Sequence, residues 1–162
     1  MTVIHTDEKI NALIKERKPL PANWRDLTRL KPKHGHDERD LDLTGVAGNK
    51  FRIILRKSQR NPLDFSVILA VHIPKSNQLF RLRRYNGRSH PHTNRIEKET
   101  VRGFHIHTAT ERYQERGENE DDYAESTDRY GDFPGAWDCL VSDANLVAPS
   151  GAQSDIFAQE AK

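Results

Sequence analysis

The sequence predicts a single α+β domain, in which an antiparallel β-meander of about five strands packs against an N-terminal helix and C-terminal helices. Three observations support this fold class. Apolar residues recur at helical spacing near the N-terminus, alternate with a period of two between residues 39 and 108, and return to helical spacing after Pro134. Short strands joined by turns indicate an antiparallel sheet, because parallel strands need long crossovers. We expect the domain to span 1–146 and a flexible C-terminal tail to span 147–162.

The first predicted element is an amphipathic helix. Thr6 is a suitable N-cap, and Pro19 stops the helix. Its apolar positions are Ile10, Leu13 and Ile14. Residues 19–38 are rich in Pro, Gly and Lys and are predicted to be a solvated linker with one short helical turn around Trp24.

Alternating apolar residues then predict the strands. Residues 41–44 and 51–56 alternate with a period of two, and 65–73 is the most apolar run, which indicates the central strand. The return strand, 79–85, is expected to place two sets of side chains on opposite faces. One set is Phe80, Leu82 and Arg84, and the other is Arg81, Arg83 and Tyr85.

The last predicted strand, 103–108, directs Phe104 and Ile106 to one face and His105 and His107 to the other. Residues 115–132, which follow it, carry eight acidic and two basic side chains, and we expect a solvated loop or helix there. Residues 81–102 carry seven basic and two acidic side chains. The first segment therefore has a net charge of −6 and the second of +5, so the near-neutral total conceals a separation of charge.

Composition limits the class of protein. The chain has 162 residues, 35% of them apolar and 31% charged, with a net charge of +2 and one cysteine. One cysteine excludes an intrachain disulfide, and no apolar run has the length of a signal peptide or a membrane span. We therefore expect a soluble, cytoplasmic protein, and the small net charge by itself does not indicate nucleic-acid binding.

Candidate functional residues concentrate in residues 85–114, which hold four of the eight histidines. They form two His-x-His pairs, His90 with His92 and His105 with His107. A metal site is one alternative, but no acidic residue or cysteine stands at a familiar ligand spacing. Metal-free ribonuclease chemistry is the second, since it needs an imidazole base, an imidazole acid and cations for the phosphate. In the third alternative, the histidines simply face solvent.

The segment FRLRRYNGRSHPH, residues 80–92, resembles the TumE-type toxins of bacterial toxin–antitoxin modules. The motifs RYNG-x-SH-x-HTN and FHIHTATERYQ also resemble a wider group of uncharacterised bacterial proteins. The resemblance implies a growth-inhibiting toxin that acts on RNA and is neutralised by a cognate antitoxin. The residues it marks are Arg84, Tyr85, Asn86, His90 and His92.

We therefore predict a ribonuclease-like cleft that needs no metal or other cofactor, with RNA and an antitoxin as partners. The predicted catalytic residues are His105, His107, Tyr85 and Arg112, with the two histidines as base and acid in either order. The predicted phosphate-binding residues are Arg83, Arg84, Asn86, Arg88, His90, His92 and Arg95. Two alternatives remain open: a non-catalytic module that binds nucleic acid or protein, and a self-associating domain, for example a homodimer, whose charged segments pair.

Overall fold

Helix α1 spans Asp7–Lys15 in the computed structural model, which describes residues 4–149. Thr6 is its N-cap, as predicted, and its hydroxyl accepts a hydrogen bond from the Lys9 amide at 3.0 Å. The three predicted apolar positions of α1 are all buried in the core. The predicted N-terminal helix is therefore confirmed.

The other helices and strands follow along the described residues. The helices are α2 (Trp24–Leu27), α3 (Glu111–Glu115) and α4 (Phe133–Asp143). The strands are β1 (Lys18–Pro19), β2 (Lys31–Lys33), β3 (His36–Thr44), β4 (Lys50–Ser58), β5 (Phe65–His72), β6 (Leu79–Asn86), β7 (His92–Asn94), β8 (Glu99–Val101), β9 (His105–Thr108), β10 (Ala124–Ser126) and β11 (Leu146–Val147). None of the helices between residues 4 and 149 is long and apolar enough to cross a membrane. The predicted tail, 147–162, lies outside the described residues from residue 150 onward, and Val147 pairs with Pro19 in β1.

Seven strands within residues 4–149 form one antiparallel sheet in the order β10-β9-β6-β5-β4-β3-β2. β5, predicted to be central, occupies the middle position. The α+β fold class with an antiparallel sheet is confirmed, but the sheet has two strands more than expected. β2 lies in the predicted linker and β10 in the predicted acidic loop. Each has only three residues and no alternation of apolar side chains, so neither gave a strand signal.

The two faces of the sheet differ in chemistry. Helices α1, α2 and α4 contact one face. On this side the rings of Trp24 in α2 and Trp137 in α4 stack, with 6.2 Å between their centroids. Cross-strand partners share a face. The opposite face, which we call the open face, carries polar side chains from β9 to β4. One of its cross-strand rows runs through His105, Asn86, Ser66 and Arg56.

A β-bulge in β6 changes which side chains of this strand lie on which face of the sheet. Arg81 is opposite Ala70, but Arg83 is opposite Leu69, so Leu82 is an extra residue in the pairing. Beyond the bulge, Arg83 and Tyr85 face the helices, and Arg84 faces the open side. The prediction that Arg81, Arg83 and Tyr85 share a face is therefore wrong, because strict alternation does not continue through a bulge.

A buried lysine joins the ends of two helices. Lys18 is 0% exposed, and its ammonium donates to the backbone carbonyls of Ile14 (2.7 Å), Leu13 (3.1 Å), Glu16 (2.8 Å) and Ala144 (2.8 Å). Burial lowers the pKa of Lys18 to about 8, and the charge of Glu16 opposes that shift. The cation lies where α1 and α4 both end, so it also meets the negative ends of two helix dipoles.

Candidate functional site

Three histidines come together on the open face. His105 and His107 project from β9 on the side opposite Ile106, as predicted, and His92 reaches them from β7. The ring centroids of His92 and His107 are 4.5 Å apart, those of His105 and His107 5.1 Å, and those of His92 and His105 6.0 Å. Two segments that the sequence suggested separately thus form one cluster.

Each imidazole is fixed by one backbone carbonyl. His105 Nδ1 donates to Gly103 O at 2.8 Å, and His107 Nδ1 donates to Asp121 O at 2.9 Å. Likewise, His92 Nε2 donates to Asp122 O at 2.6 Å. Such a bond sets the tautomer and leaves the other ring nitrogen as a proton acceptor. Nε2 of His105 and of His107 has no hydrogen-bond partner among residues 4–149, and both residues line the cleft beside them.

Burial decides the protonation of the two strand histidines. His105 is 4% exposed and His107 2%. Burial lowers the pKa of His107 to about 2, and the charge of Arg84 acts in the same direction. Burial also lowers the pKa of His105, although its bond to Gly103 O partly opposes the shift. Both imidazoles are therefore neutral at pH 7.

A buried ion pair lies next to the histidines. Arg84 is the cross-strand partner of His107, and its Nε lies 3.6 Å from Asp121 Oδ2. Arg81 Nε lies 3.5 Å from the other oxygen, Oδ1, of the same carboxylate. Burial raises the pKa of Asp121, while the charges of Arg84 and Arg81 oppose that change. Asp121 thus holds Arg84 beside the histidines, and its backbone carbonyl also holds His107.

The position of His92 depends on Asn94. The Asn94 amide donates to Ala124 O at 2.8 Å and accepts from Ala124 N at 2.9 Å. Asn94 is 2% exposed, and its side chain imitates a paired peptide group at the edge strand β10. These two hydrogen bonds to β10 hold the β7–β8 hairpin over the open face. They thereby also position His92.

The cleft beside these residues has a volume of about 230 Å³. We call it the histidine cleft, and its polar lining comprises Asp64, Ser66, Arg84, Asn86, Ser89, His90, His92, His105 and His107. Ser66 donates to Asn86 Oδ1 at 2.9 Å on its floor. Gly87 is required at its wall, because a Cβ there would lie 1.9 Å from the carbonyl oxygen of Leu63. His90 is exposed at this site.

Five of the predicted site residues lie elsewhere. Tyr85 OH donates to Asp143 Oδ2 at 2.6 Å, and Arg83 donates to the same oxygen at 3.2 Å, on the helix side of the sheet. Arg112 pairs with Glu97 near the β7–β8 turn. Arg88 lies over the Phe104 ring, and Arg95 pairs with Glu118 and Asp122. The structure therefore brings six predicted residues to the histidine cleft: Arg84, Asn86, His90, His92, His105 and His107.

The acidic and basic segments contact each other within one chain. Arg84 pairs with Asp121, Arg81 with both Glu120 (3.9 Å) and Asp121, and Arg95 with Glu118 at 3.4 Å. The exposed pair of Arg95 adds little stability, whereas Asp121 is buried, but each pair neutralises a cation. An extended basic surface is therefore absent along these arginines, and the histidine cleft remains the chemically distinctive feature.

A metal site and a larger groove are the two other places where a functional site could lie. In the part of the chain that the structure describes, no group of three His, Cys, Asp or Glu side chains is arranged to hold a metal ion. A larger groove, of about 1080 Å³, lies between α1 and the β9–β10 edge. Its described lining includes Asp7, Arg83 and Arg129 but no histidine. Proton-transfer chemistry therefore points to the smaller cleft.

Comparison with known proteins adds no assignment, since no protein-family model, curated protein or solved structure matches this chain.

Sequence reasoning missed Ser66, Asn94 and Asp121. Ser66 lies in the most apolar run of the chain, where a single small polar residue gives no pattern. Asp121 lies in an acidic segment that was expected to be solvated, yet it is 1% exposed. Asn94 was part of the HTN motif, but its contact with Ala124 spans 30 residues and follows no local spacing.

Proposed function

We propose that the histidine cleft cleaves RNA without a metal ion, by proton transfer between imidazoles and a ribose phosphodiester. One observation carries this proposal. His105 holds Nδ1–H on a backbone carbonyl, its Nε2 has no hydrogen-bond partner among residues 4–149, and it lines a cleft together with Arg84 and Asn86. A fixed tautomer with a free acceptor nitrogen suits a general base.

In the proposed reaction, His105 Nε2 takes the proton of the ribose 2′-hydroxyl. The 2′-oxygen forms a bond to phosphorus, and the bond from phosphorus to the 5′-oxygen breaks. A ring nitrogen of His90, which lines the same cleft, delivers a proton to the leaving 5′-oxygen. The products are a 2′,3′-cyclic phosphate and a 5′-hydroxyl, and Arg84 balances the charge that develops on the phosphate oxygens.

The lowered pKa of His105 supports its role as the base, since the acceptor form predominates at neutral pH. The same reasoning argues against His107 as a proton carrier. With a pKa near 2, it takes up no proton at neutral pH and instead packs against His92 and His105.

Substitution of the cleft histidines tests the proposal. We expect His105→Ala and His90→Ala each to lower the rate of RNA cleavage in EDTA by about 100-fold or more. His72→Ala is the matched control, because His72 lies on the open face at the opposite end of β5, near Asp42. The proposal fails if the wild-type protein does not cleave RNA although its expression arrests growth, or if His105→Ala cleaves at the wild-type rate.

The proposed cellular role is that of a cytoplasmic toxin that is neutralised by a cognate antitoxin, and it rests on the resemblance of residues 80–92 to TumE-type toxins. Induced expression should arrest growth, and His105→Ala should relieve the arrest. Arrest that persists at equal expression of this variant would contradict the catalytic version.

The burial of His105 and His107 favours a second candidate function. Neutral imidazoles accept hydrogen bonds, so the cleft would bind RNA bases without cleaving the chain. In that case RNA binding is retained in EDTA without any product, Arg84→Ala weakens binding, and binding depends on salt.

A further inference from the structure

We propose that the histidine cleft continues into a second phosphate subsite built around Arg56, so that the protein binds single-stranded RNA over at least two phosphates. This inference rests on the proposed function, since it extends the same site. It concerns residues from β3, β4 and the β2–β3 turn, none of which belongs to the histidine cluster.

Strand register connects the two places. His105, Asn86, Ser66 and Arg56 are successive cross-strand partners on β9, β6, β5 and β4. Neighbouring strands lie about 4.8 Å apart, so the row spans about 14 Å from His105 to Arg56. The row is polar throughout and crosses the open face in a straight line.

Two neighbouring depressions lie along this row. The second, of about 340 Å³, adjoins the histidine cleft, and Asp64, Phe65 and Ser66 line both. The second depression is also lined by His34, His36, Arg56, Lys57 and Ser58. A ligand that fills the histidine cleft can therefore extend past Ser66 into the second depression.

Arg56 is the cation of the second depression on the open face, and its carboxylate contact is long. Its Nε lies 3.9 Å from Glu38 Oε1, and Lys33 lies closer to the same carboxylate, at 3.3 Å. Arg56 Nη2 also lies 3.3 Å from His36 Nε2, and the Arg56 side chain is 49% exposed. Lys57 does not contribute its charge here, because its ammonium lies over the Phe133 ring on the helix side. Because Glu38 is shared with Lys33 and its contact with Arg56 is long, the Arg56 guanidinium can exchange that contact for a phosphate.

The length of the row indicates a polynucleotide. Successive phosphates of one strand advance about 3.4 Å along the axis of a stacked duplex and further when the strand is extended. A single phosphodiester therefore cannot contact both His105 and Arg56, whereas a segment with several phosphates can.

Binding of non-cleavable oligonucleotides tests the subsite separately from catalysis. The probes are a 2′-O-methyl dinucleotide with one phosphate and a 2′-O-methyl pentanucleotide with four, measured by fluorescence anisotropy. We expect the wild-type protein to bind the pentanucleotide about tenfold or more tightly than the dinucleotide. Arg56→Gln should weaken pentanucleotide binding about tenfold, lower its salt slope by about one and leave dinucleotide binding unchanged.

Arg52→Gln is the matched control, because Arg52 lies on the same face of β4 but outside the row and pairs with Asp42 at 2.8 Å. It should alter neither affinity. The subsite is refuted if Arg56→Gln leaves the pentanucleotide affinity unchanged or weakens both probes equally, if Arg52→Gln has the same effect, or if the wild-type protein does not prefer the longer probe. Cleavage of the matching ribo-oligonucleotides is measured in parallel. Length-dependent binding without cleavage would overturn only the proposed function, and cleavage without length dependence would overturn only the subsite.

Discussion

Replacing His107 with asparagine should make the protein less sensitive to acid. His107 is 2% exposed, and burial holds its pKa near 2. In the unfolded chain a histidine has a pKa of about 6.5. Below pH 6.5 the unfolded chain therefore binds a proton that the folded protein does not, and the free energy of unfolding falls as the pH falls.

The size of this effect follows from the two pKa values. The free energy of unfolding falls by up to about 1.4 kcal/mol per pH unit in the window between pH 6.5 and pH 2. Integrated from pH 7.5 to pH 5.0, the contribution of His107 is about 2 kcal/mol. Asparagine removes the titration and keeps an N–H that can donate to Asp121 O.

Urea unfolding at pH 7.5 and pH 5.0 measures the difference. We expect the wild-type protein to lose about 2 kcal/mol more than His107→Asn between the two values. Every other titratable side chain is present in both proteins, so the comparison isolates the substitution. Equal pH dependence of His107→Asn and wild type would show that His107 titrates normally and would refute its assignment as a permanently neutral residue.

Three further substitutions test the packing around the site. Lys18→Met should lower the free energy of unfolding by about 2–4 kcal/mol, measured in urea, because carbonyls of α1 and α4 lose their donor; an unchanged midpoint would contradict that role. Gly87→Ala should lower the free energy of unfolding by about 1–3 kcal/mol in the same assay. Gly131→Ala is the control and should be nearly neutral, because a Cβ there meets nothing within 4 Å. Equal effects of the two substitutions would argue against a close approach at Gly87. Asn94→Ala should cost about 1–3 kcal/mol and speed amide hydrogen exchange in β7 and β8, and unchanged exchange would mean that the hairpin is held by other contacts.

Much of the fold could be predicted because its elements repeat a period. Ile10 and Leu13 follow helical spacing, and Phe51 and Ile53 alternate in a half-buried strand. β2 and β10 were missed because three residues are too few to establish alternation. The bulge at Leu82 was missed because strict alternation was expected throughout β6. The two successive arginines, Arg83 and Arg84, interrupt the apolar–polar pattern, and the pairing with β5 shows the extra residue.

The candidate site was predictable as a composition but not as a geometry. The facing of His105 and His107 followed from strand alternation. Tyr85 faces the helix side because of the bulge, through which strict alternation does not continue. The burial of His107 depends on contacts with residues far along the chain, such as Asp121. Long-range contacts of this kind determine which histidines and arginines lie together. They produce no periodic pattern in the sequence.

The most direct test of the central claim uses one RNA oligonucleotide in two forms. The first form is all ribose, and the second carries a single 2′-deoxy nucleotide at the principal cleavage position of the first. Both are incubated with the purified protein in EDTA, and the products are identified by mass spectrometry. The account predicts a 2′,3′-cyclic phosphate and a 5′-hydroxyl from the first form and no cleavage at that position in the second. Cleavage of the deoxy form at the same position, or a linear 5′-phosphate product, would contradict attack by the 2′-hydroxyl.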